Sequence, residues 1–591
     1  MSTTRIGQVL SCAPEAITVA IDGLKVFEEN KQHLQVGRYL RIAQGNSDYT
    51  IASIRNVKGT STLSEDDTPV WQFQIECQAV GTLVDGKRFE RGSLLLPVPT
   101  EPVFAADKDT LDAIFAEDAK YQFPLGHLSF NKSIALKLQG NNFFSKHIAI
   151  VGSTGSGKSC AVARILQNVV GIANQKNLNK GKQNNSHIII FDIHDEYSAA
   201  FSIEKDQKLT LNRLDVGSLS LPYWLMNSEE LESMFIESNE ENSHNQVSQF
   251  KQAVIFNKER HNPNIKEMTY DTPVYFSMQE VYQYIENINR EIIGRLDGEN
   301  KPKLSNGTLV LERKDHYFDK PCTFAPQSTA KESKATNGPF NGDFTRFVTR
   351  LESKLSDKRL RFLLGAQKED KSPFKTDDFA QIMKQFLGYL NKANVTIIDL
   401  SGIPFEVLSI TVSLVARLVF DFCFHYSKLR HEQGKLNDVP VMIVCEEAHN
   451  YIPQRNEAAY RSSRKSLERV AKEGRKYGLS LMVVSQRPSE VSETIFAQCC
   501  NFLALRLTND ADQSYVKRLF PDNTSGITDI LPSLGPGEAV VVGDAVLLPA
   551  VVQLPLPDPE PQSQSVKVHE EWRNLWKEIT FSDVIARWRK E

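Results

Sequence analysis

Seven short, almost unbroken apolar runs constrain this chain more than any other feature of it. They are "HIAIVG" (147–152), "HIIIFD" (187–192), "VTIIDL" (395–400), "VMIVCE" (441–446), "LMVVSQ" (481–486), "FLALRL" (502–507) and "AVVVGD" (539–544). A strand with one wet face alternates apolar and polar residues. These runs do not alternate, so both of their faces must be covered, as in the central strands of a parallel sheet. Helical stretches lie between several of them, which makes the class α/β. The second and third runs stand roughly 200 residues apart, far more than one crossover connection needs. Residues 225–390 are therefore expected to form an insertion.

The rest of the chain divides around that core. Residues 1–100 carry short alternating stretches such as "AITVAIDG", "GRYLRIAQ" and "YTIASIR", with Gly and Asp turns between them. Period-2 patterning at this spacing predicts a small antiparallel sheet or barrel. The core then occupies 101–224 and 391–553, on either side of the insertion. Within the insertion, "SEELESMFI" opens on Ser228 as a candidate helix cap, and "FTRFVTRLESKLSDKRLRFLL" carries apolar residues at helical spacing. "PQSTAKESKATNGPFNGD" (326–343) reads as a loop. After 553, "PLPDPEPQSQS" reads as an extended linker leading to one or two C-terminal helices, so 554–591 is a separate segment. Trp572, Trp576 and Trp588 in it need covering, either by the parent domain or by a neighbouring subunit.

Composition excludes some classes. A chain of 591 residues is too long for one core. Its net charge of −4 advertises no global affinity for nucleic acid, so any such surface must be local or built by assembly. The eight cysteines form no CxxC pair, and several sit in apolar runs, as buried thiols in a reducing compartment do. The N-terminus lacks the charged and apolar regions of a signal peptide. No apolar run reaches the roughly 18 residues that cross a bilayer. The expectation is a cytoplasmic protein with no membrane partner.

The first run ends in "GSTGSGKS", residues 152–159, which fits G-x-x-x-x-G-K-[ST] at every position. Glycines let bare N–H groups approach an anion closely, and the helix starting near Lys158 aims its positive end at the same point. Lys158 would reach the β and γ phosphates of ATP, and Ser159 would hold Mg²⁺ through its hydroxyl. The cradle expected on the nucleotide runs through Gly152, Ser153, Thr154, Gly155, Ser156, Gly157, Lys158, Ser159 and Cys160.

Hydrolysis needs a second metal partner and a base. "VMIVCEEAHNYIP" (441–453) ends an apolar strand in two acids. Glu447 is the candidate general base. Glu446 stands where the usual order has Asp. It either reaches the metal through a water or shifts the geometry. Gln486, ending the next strand, either senses the γ-phosphate or simply terminates the strand. "FDIHDEY" (191–197) offers Asp192, His194 and Glu196, as a metal cage or as groups around the nucleotide and Mg²⁺. Because consecutive side chains point different ways, the second reading is preferred, with Asp192 at the nucleotide. In "RSSRKSLERVAKEGRKYG" (461–478), Arg475 and Lys476 lie near a helix end. They either offset the helix dipole or face a neighbour's phosphate.

These motifs, in this order, behind a β-rich module and around a helical insertion, resemble the HerA family of hexameric DNA-translocating ATPases, relatives of the FtsK pumps, in a bacterial member. The resemblance implies a RecA-like core, an N-terminal barrel, a C-terminal brace, and a homo-hexamer with ATP between subunits and duplex DNA in its channel. It implies the P-loop lysine at Lys158, the catalytic glutamate at Glu447, the sensor glutamine at Gln486 and a trans-acting arginine at Arg475. Family members commonly carry a basic residue, often Arg, before the P-loop strand. Lys146 holds that place here, without arginine's bidentate reach. The resemblance also implies a separate effector docked on the barrel, a nuclease or a Sir2-type NADase, in DNA processing or antiphage defence. The other reading is an ATP-dependent scaffold that regulates a partner with little translocation.

Overall fold

The computed structural model describes residues 4–45, 47–63, 69–92, 96–115, 121–172, 184–202, 211–237, 240, 243–296, 299–330, 334–455, 460–520, 527–563 and 566–589. Residues 331–333 of the expected loop and 564–565 of the expected linker lie outside the described residues. The first seven strands are β1 (Gly7–Cys12), β2 (Ile17–Ile21), β3 (Tyr39–Ala43), β4 (Tyr49–Leu63), β5 (Pro69–Val84), β6 (Arg88–Glu90) and β7 (Pro102–Ala105). They form an antiparallel sheet in the order β2-β1-β7-β3-β4-β5-β6. A further pairing of β2 with β5, Ile17 opposite Cys77, closes six of them into the expected barrel. Alternate residues, among them Val9, Val19, Leu40, Ile42, Ile75 and Val103, fill its interior. The barrel runs past residue 100, because β7 supplies the pairing between β1 and β3. A four-residue strand is too short to show a period of two, which is why the boundary reads early.

The core strands follow: β8 (Gln122–Leu128), β9 (Asn131–Gln139), β10 (His147–Val151), β11 (His187–Asp192) and β12 (Leu211–Leu214). The insertion contributes β13 (Ile292–Leu296), β14 (Glu299–Pro302) and β15 (Ala335–Asn337). The core resumes with β16 (Val395–Asp399), β17 (Val441–Cys445), β18 (Leu479–Ser485), β19 (Cys499–Ala504), β20 (Glu538–Gly543) and β21 (Ala550–Gln553). Eleven of these make one sheet in the order β12-β16-β11-β17-β18-β10-β19-β20-β21-β8-β9. Six of the seven apolar runs pair in parallel, with Ile148 beside Met482 and Ile188 beside Met442. The seventh does not. β20 runs antiparallel to β19, Asn501 opposite Gly543. An unbroken apolar run reports two covered faces, and β20 has them without being parallel.

Both faces are indeed covered. Ile148, Ile150, Val444 and Val484 pack with the helix Lys158–Val170, while Ala149, Val151, Ile443 and Val483 face the side of the helix Phe405–Glu432. Burying each such aliphatic side chain stabilises the fold by about 1.5–3 kcal/mol. The helix Phe405–Glu432 is by length and composition apolar enough to cross a membrane, contrary to the expectation that no stretch reaches that length. It is 78% buried inside the protein across its most apolar window, so its apolarity is used in the core.

The insertion carries the helices Ser228–Phe235, Ser243–His261, Met278–Asn289 and Thr345–Ser356, together with a small sheet ordered β14-β13-β15. The first helix is capped one residue earlier than expected. Asn227 Oδ1 accepts the Glu230 N–H at 2.9 Å, and Glu230 Oε2 accepts the Asn227 N–H at 3.0 Å. Buried Glu230 also takes Arg417 at 2.8 Å, tying the insertion to the core helix. The helical pattern expected across 344–364 breaks at Asp357, whose carboxylate caps the next turn at Arg359 N–H, 2.9 Å away. β15 lies within the expected loop.

The linker after 553 is docked on the core. Gln167 Nε2 donates to Pro559 O at 2.7 Å, and Gln167 Oε1 accepts the Asp558 N–H at 3.0 Å. Beyond it, Trp572, Trp576 and Trp588 are 81%, 92% and 84% exposed, so the parent domain does not cover them.

Candidate active site

β10 ends at Val151, and the chain turns at Gly152. A Cβ there would stand 2.6 Å from Ser156 Oγ and 2.9 Å from Leu505 Cβ, closer than packing allows. Gly155 and Gly157 hold φ of +73° and +99°, left-handed values that favour glycine. The loop is tied to neighbouring strands: Gly152 N–H donates to Ser485 O at 3.3 Å and Ser153 N–H to Arg506 O at 2.8 Å. Ser153 Oγ accepts the Thr508 N–H at 3.0 Å. The helix Lys158–Val170 then starts, its open N–H groups facing the loop.

The donors of this loop fit a phosphate. Ser156 Oγ is buried without a hydrogen-bond partner. Lys158 Nζ is buried too, with Ser153 O its hydrogen-bond acceptor at a long 3.4 Å. Burial draws the Lys158 pKa down, while the charges of Glu447, Glu446 and Glu196 oppose that. A triphosphate in this loop would supply an acceptor for Ser156 Oγ and a closer one for Lys158 Nζ.

The second strand to arrive is β17. Glu447 follows it with φ of +44°, a strained value for a residue with a Cβ. Its Oε2 accepts the Gln486 N–H at 3.4 Å and lies 3.3 Å from His449 Nδ1. Gln486 Oε1 in turn accepts the Thr154 hydroxyl at 2.6 Å. Glu447, Gln486 and the P-loop residue Thr154 thus form one chain of contacts across β17, β18 and β10.

Glu446 turns elsewhere. Its Oε2 accepts the Tyr197 hydroxyl at 2.8 Å, and its carbonyl accepts the Tyr451 hydroxyl at 3.0 Å. Burial, and then the charge of Glu447, push its carboxyl up to about 8. That shift disfavours the ionised form in which a carboxylate holds a metal. Asp192, expected at the nucleotide, instead organises its own turn. Its carboxylate accepts the N–H groups of His194, Glu196 and Tyr197 at 3.3, 3.2 and 3.0 Å. That turn delivers Tyr197 to Glu446 and Glu196 toward Lys158. Among the described residues no three His, Cys, Asp or Glu side chains gather as a metal cage.

Of three further expected residues, one turns its side chain away from the P-loop and two stand at a distance from it. Cys160, on the first turn of its helix, faces the linker, where Ser563 and Glu560 meet its thiol. Lys146 stands before the start of β10 and pairs with Asp544. Arg475 is exposed on a turn before the start of β18. Since β10 and β18 lead toward the P-loop from there, both cations sit roughly 20 Å from it. Residues that sequence reasoning did not single out, Tyr197, His449 and Thr508, complete the site. Tyr197 and His449 lie inside the quoted motifs, but only the folded contacts give them roles.

A mostly parallel sheet with a phosphate loop after one strand, an acid two strands away and a polar sensor on the strand between defines a RecA-like P-loop ATPase. Residues 123–419, half of the chain, match the family described as "Helicase HerA, central domain". The chain belongs to the HerA-type helicase family and is an ATP-hydrolysing enzyme of it. The DNA double-strand break repair helicase HerA of Sulfolobus acidocaldarius is 24% identical over 94% of this chain and 95% of its own length. That of Pyrococcus furiosus is 25% identical over 77% of this chain and 72% of its own length. Among solved structures, the bacterial conjugative coupling protein TrwBdeltaN70 is similar at 12% identity and a TM-score of 0.41, over 74% of this chain and 89% of that one.

Proposed function

We propose that this chain assembles into a homo-hexameric ring that hydrolyses ATP to move duplex DNA through its channel. The observation that carries the chemistry is the linked set Glu447, Gln486 and Thr154, with a buried Lys158 beside it. Glu447 takes the proton of a water attacking the γ-phosphorus. Lys158 and the helix N-terminus balance the charge that develops on the transferred group, and ADP leaves with the β-phosphate oxygen. Mg²⁺, held by the Ser159 hydroxyl, would neutralise the phosphates. Gln486 is the group placed to report the γ-phosphate to the P-loop.

Arg475 serves the neighbour's site in this reading, since it stands far from its own. Lys146 would first have to leave Asp544. The exposed tryptophans 572, 576 and 588 support a brace across the subunit boundary. The effector, a separate protein in DNA processing or antiphage defence, docks on the barrel. Leu63, Val70 and Trp71, exposed on the long β4–β5 pair, are the surface that supports this. Such work places the protein with DNA in the cytoplasm.

The test is the mass of the purified protein in solution with and without ATP and Mg²⁺, beside its ATPase rate with and without linear duplex DNA. A hexamer whose turnover rises with DNA is the expected result. A ring indifferent to DNA would leave a scaffold, and a stable monomer would remove the ring.

A further inference from the structure

The carboxyl ends of β12 and β16 open into a cleft of about 770 Å³, on the same edge of the sheet as the P-loop but at its far side. Crevices outside the carboxyl ends of strands are where open α/β sheets take ligands. From the strand spacing, this one is roughly 20 Å from the P-loop strand, so the chain's own nucleotide does not fill it.

Five basic side chains from three separate segments line it: Lys358 and Arg361, then Lys368 and Lys371, then Arg587 of the C-terminal helix Phe581–Arg589. Two acids share the wall, and both are already engaged. Asp399 Oδ2 pairs with Arg213 at 3.0 Å, and its Oδ1 accepts the Ser401 N–H at 3.0 Å. Asp215 Oδ1 accepts the N–H groups of Gly217 and Ser218 at 3.0 and 2.9 Å. Lys368 is matched by Asp378 at 3.3 Å. Lys358, Arg361, Lys371 and Arg587 have no ion pair among the described residues, and all four are exposed. Lys371 sits at a turn with φ of +65°, a left-handed value that a lysine adopts at a cost. Its neighbour Asp370 folds back onto the Ser372 N–H at 2.8 Å, away from meeting it as an ion pair.

We infer that this cleft binds the phosphodiester backbone of duplex DNA, with Lys358, Arg361, Lys371 and Arg587 as its phosphate contacts. The inference rests on the DNA-moving reading and gives it a surface. Four unmatched charges spread along an open cleft exceed what one free phosphate neutralises, and they suit a polymer with regularly spaced charge. In a chain of net charge −4, this is a local basic surface of the kind DNA binding requires. The cations come from the insertion and the C-terminal helix, so both elements would bear on DNA.

The experiment compares the full-length protein with the variant Lys358→Gln/Arg361→Gln/Lys371→Gln. Binding of a labelled linear duplex is followed across salt concentrations, beside the ATPase rate without DNA. The expected variant has an unchanged basal rate, weaker binding, and a plot of log affinity against log salt that is shallower by about 2 to 3, near 0.9 for each lost phosphate contact. Adding Arg587→Gln should flatten it by about one more. An unchanged slope overturns the cleft while leaving DNA-stimulated turnover of the parent protein intact. A parent protein that binds no duplex overturns both. Binding of polyglutamate that the variant loses, with its DNA slope unchanged, would assign the cleft to an acidic protein segment and also overturn the inference. Inorganic phosphate displacing no DNA at millimolar concentration is expected, and full displacement would reduce the cleft to a single-anion site.

Discussion

Thr154 donates its hydroxyl to Gln486 Oε1 across 2.6 Å, which joins the phosphate loop to the end of the neighbouring strand. Gln486→Ala removes both this bond and the amide proposed to sense the γ-phosphate. Turnover should fall about 100-fold, as when one preorganised group is lost, with nucleotide affinity nearly kept. Thr154→Val should cost less. Steady-state ATPase rates beside a fluorescent-nucleotide titration check this, and equal losses in affinity and turnover would argue against a sensing role.

Glu447 carries the proposed base. Glu447→Gln keeps the shape and the Gln486 contact but cannot accept a proton. Turnover should drop by about 10²–10⁴ while ATP stays bound. Retention of radiolabelled ATP after gel filtration measures it. A variant that turns over normally would sink the assignment.

Arg475 lies beyond reach of its own phosphate loop, so Arg475→Ala should silence the adjacent subunit's site. Rings mixed from Arg475→Ala and Glu447→Gln subunits should lose more activity than the sum of the two dilutions. Simple additivity would remove the trans role.

Tyr197 and Glu446 form a buried pair, hydroxyl to carboxyl at 2.8 Å. Tyr197→Phe leaves the buried carboxyl short of a donor. Stability should fall by about 1–3 kcal/mol, read by denaturant unfolding. No change would mean the pair is not formed in solution.

Lys258 is fully buried, and its ammonium donates to Tyr270 O and Thr272 O at 2.6 and 2.7 Å. Burial draws its pKa from 10.5 down to about 8. Between those values the unfolded chain holds the proton and the folded chain does not, so this residue's contribution to stability rises with pH across that window. Below about 8 both states are charged and the contribution is flat. Relative to Lys258→Met, the parent protein should gain up to about 3 kcal/mol from pH 8 to 10.5. A constant difference across that range would refute the buried charge.

The parts of this protein legible in its sequence are those that depend on local chemistry. The loop 152–159 needs glycines and a lysine wherever it occurs, and the acid after β17 and the amide after β18 stand at strand ends that their own apolar runs mark. Doubly covered strands likewise show themselves as unbroken apolar runs, because burial acts on each residue separately. Tertiary structure alone decided direction and partnership. β20 is as apolar as its neighbours yet runs antiparallel, since pairing depends on where the chain returns. Asp192 organises a turn, and Glu446 meets Tyr197 from 249 residues away. Lys146 and Arg475 stand before the starts of β10 and β18, and only the length of those strands in the sheet shows that they lie at the end away from their own P-loop. Sequence spacing measures distance along the chain. Site geometry is set by which strands lie side by side, and that is a property of the whole sheet.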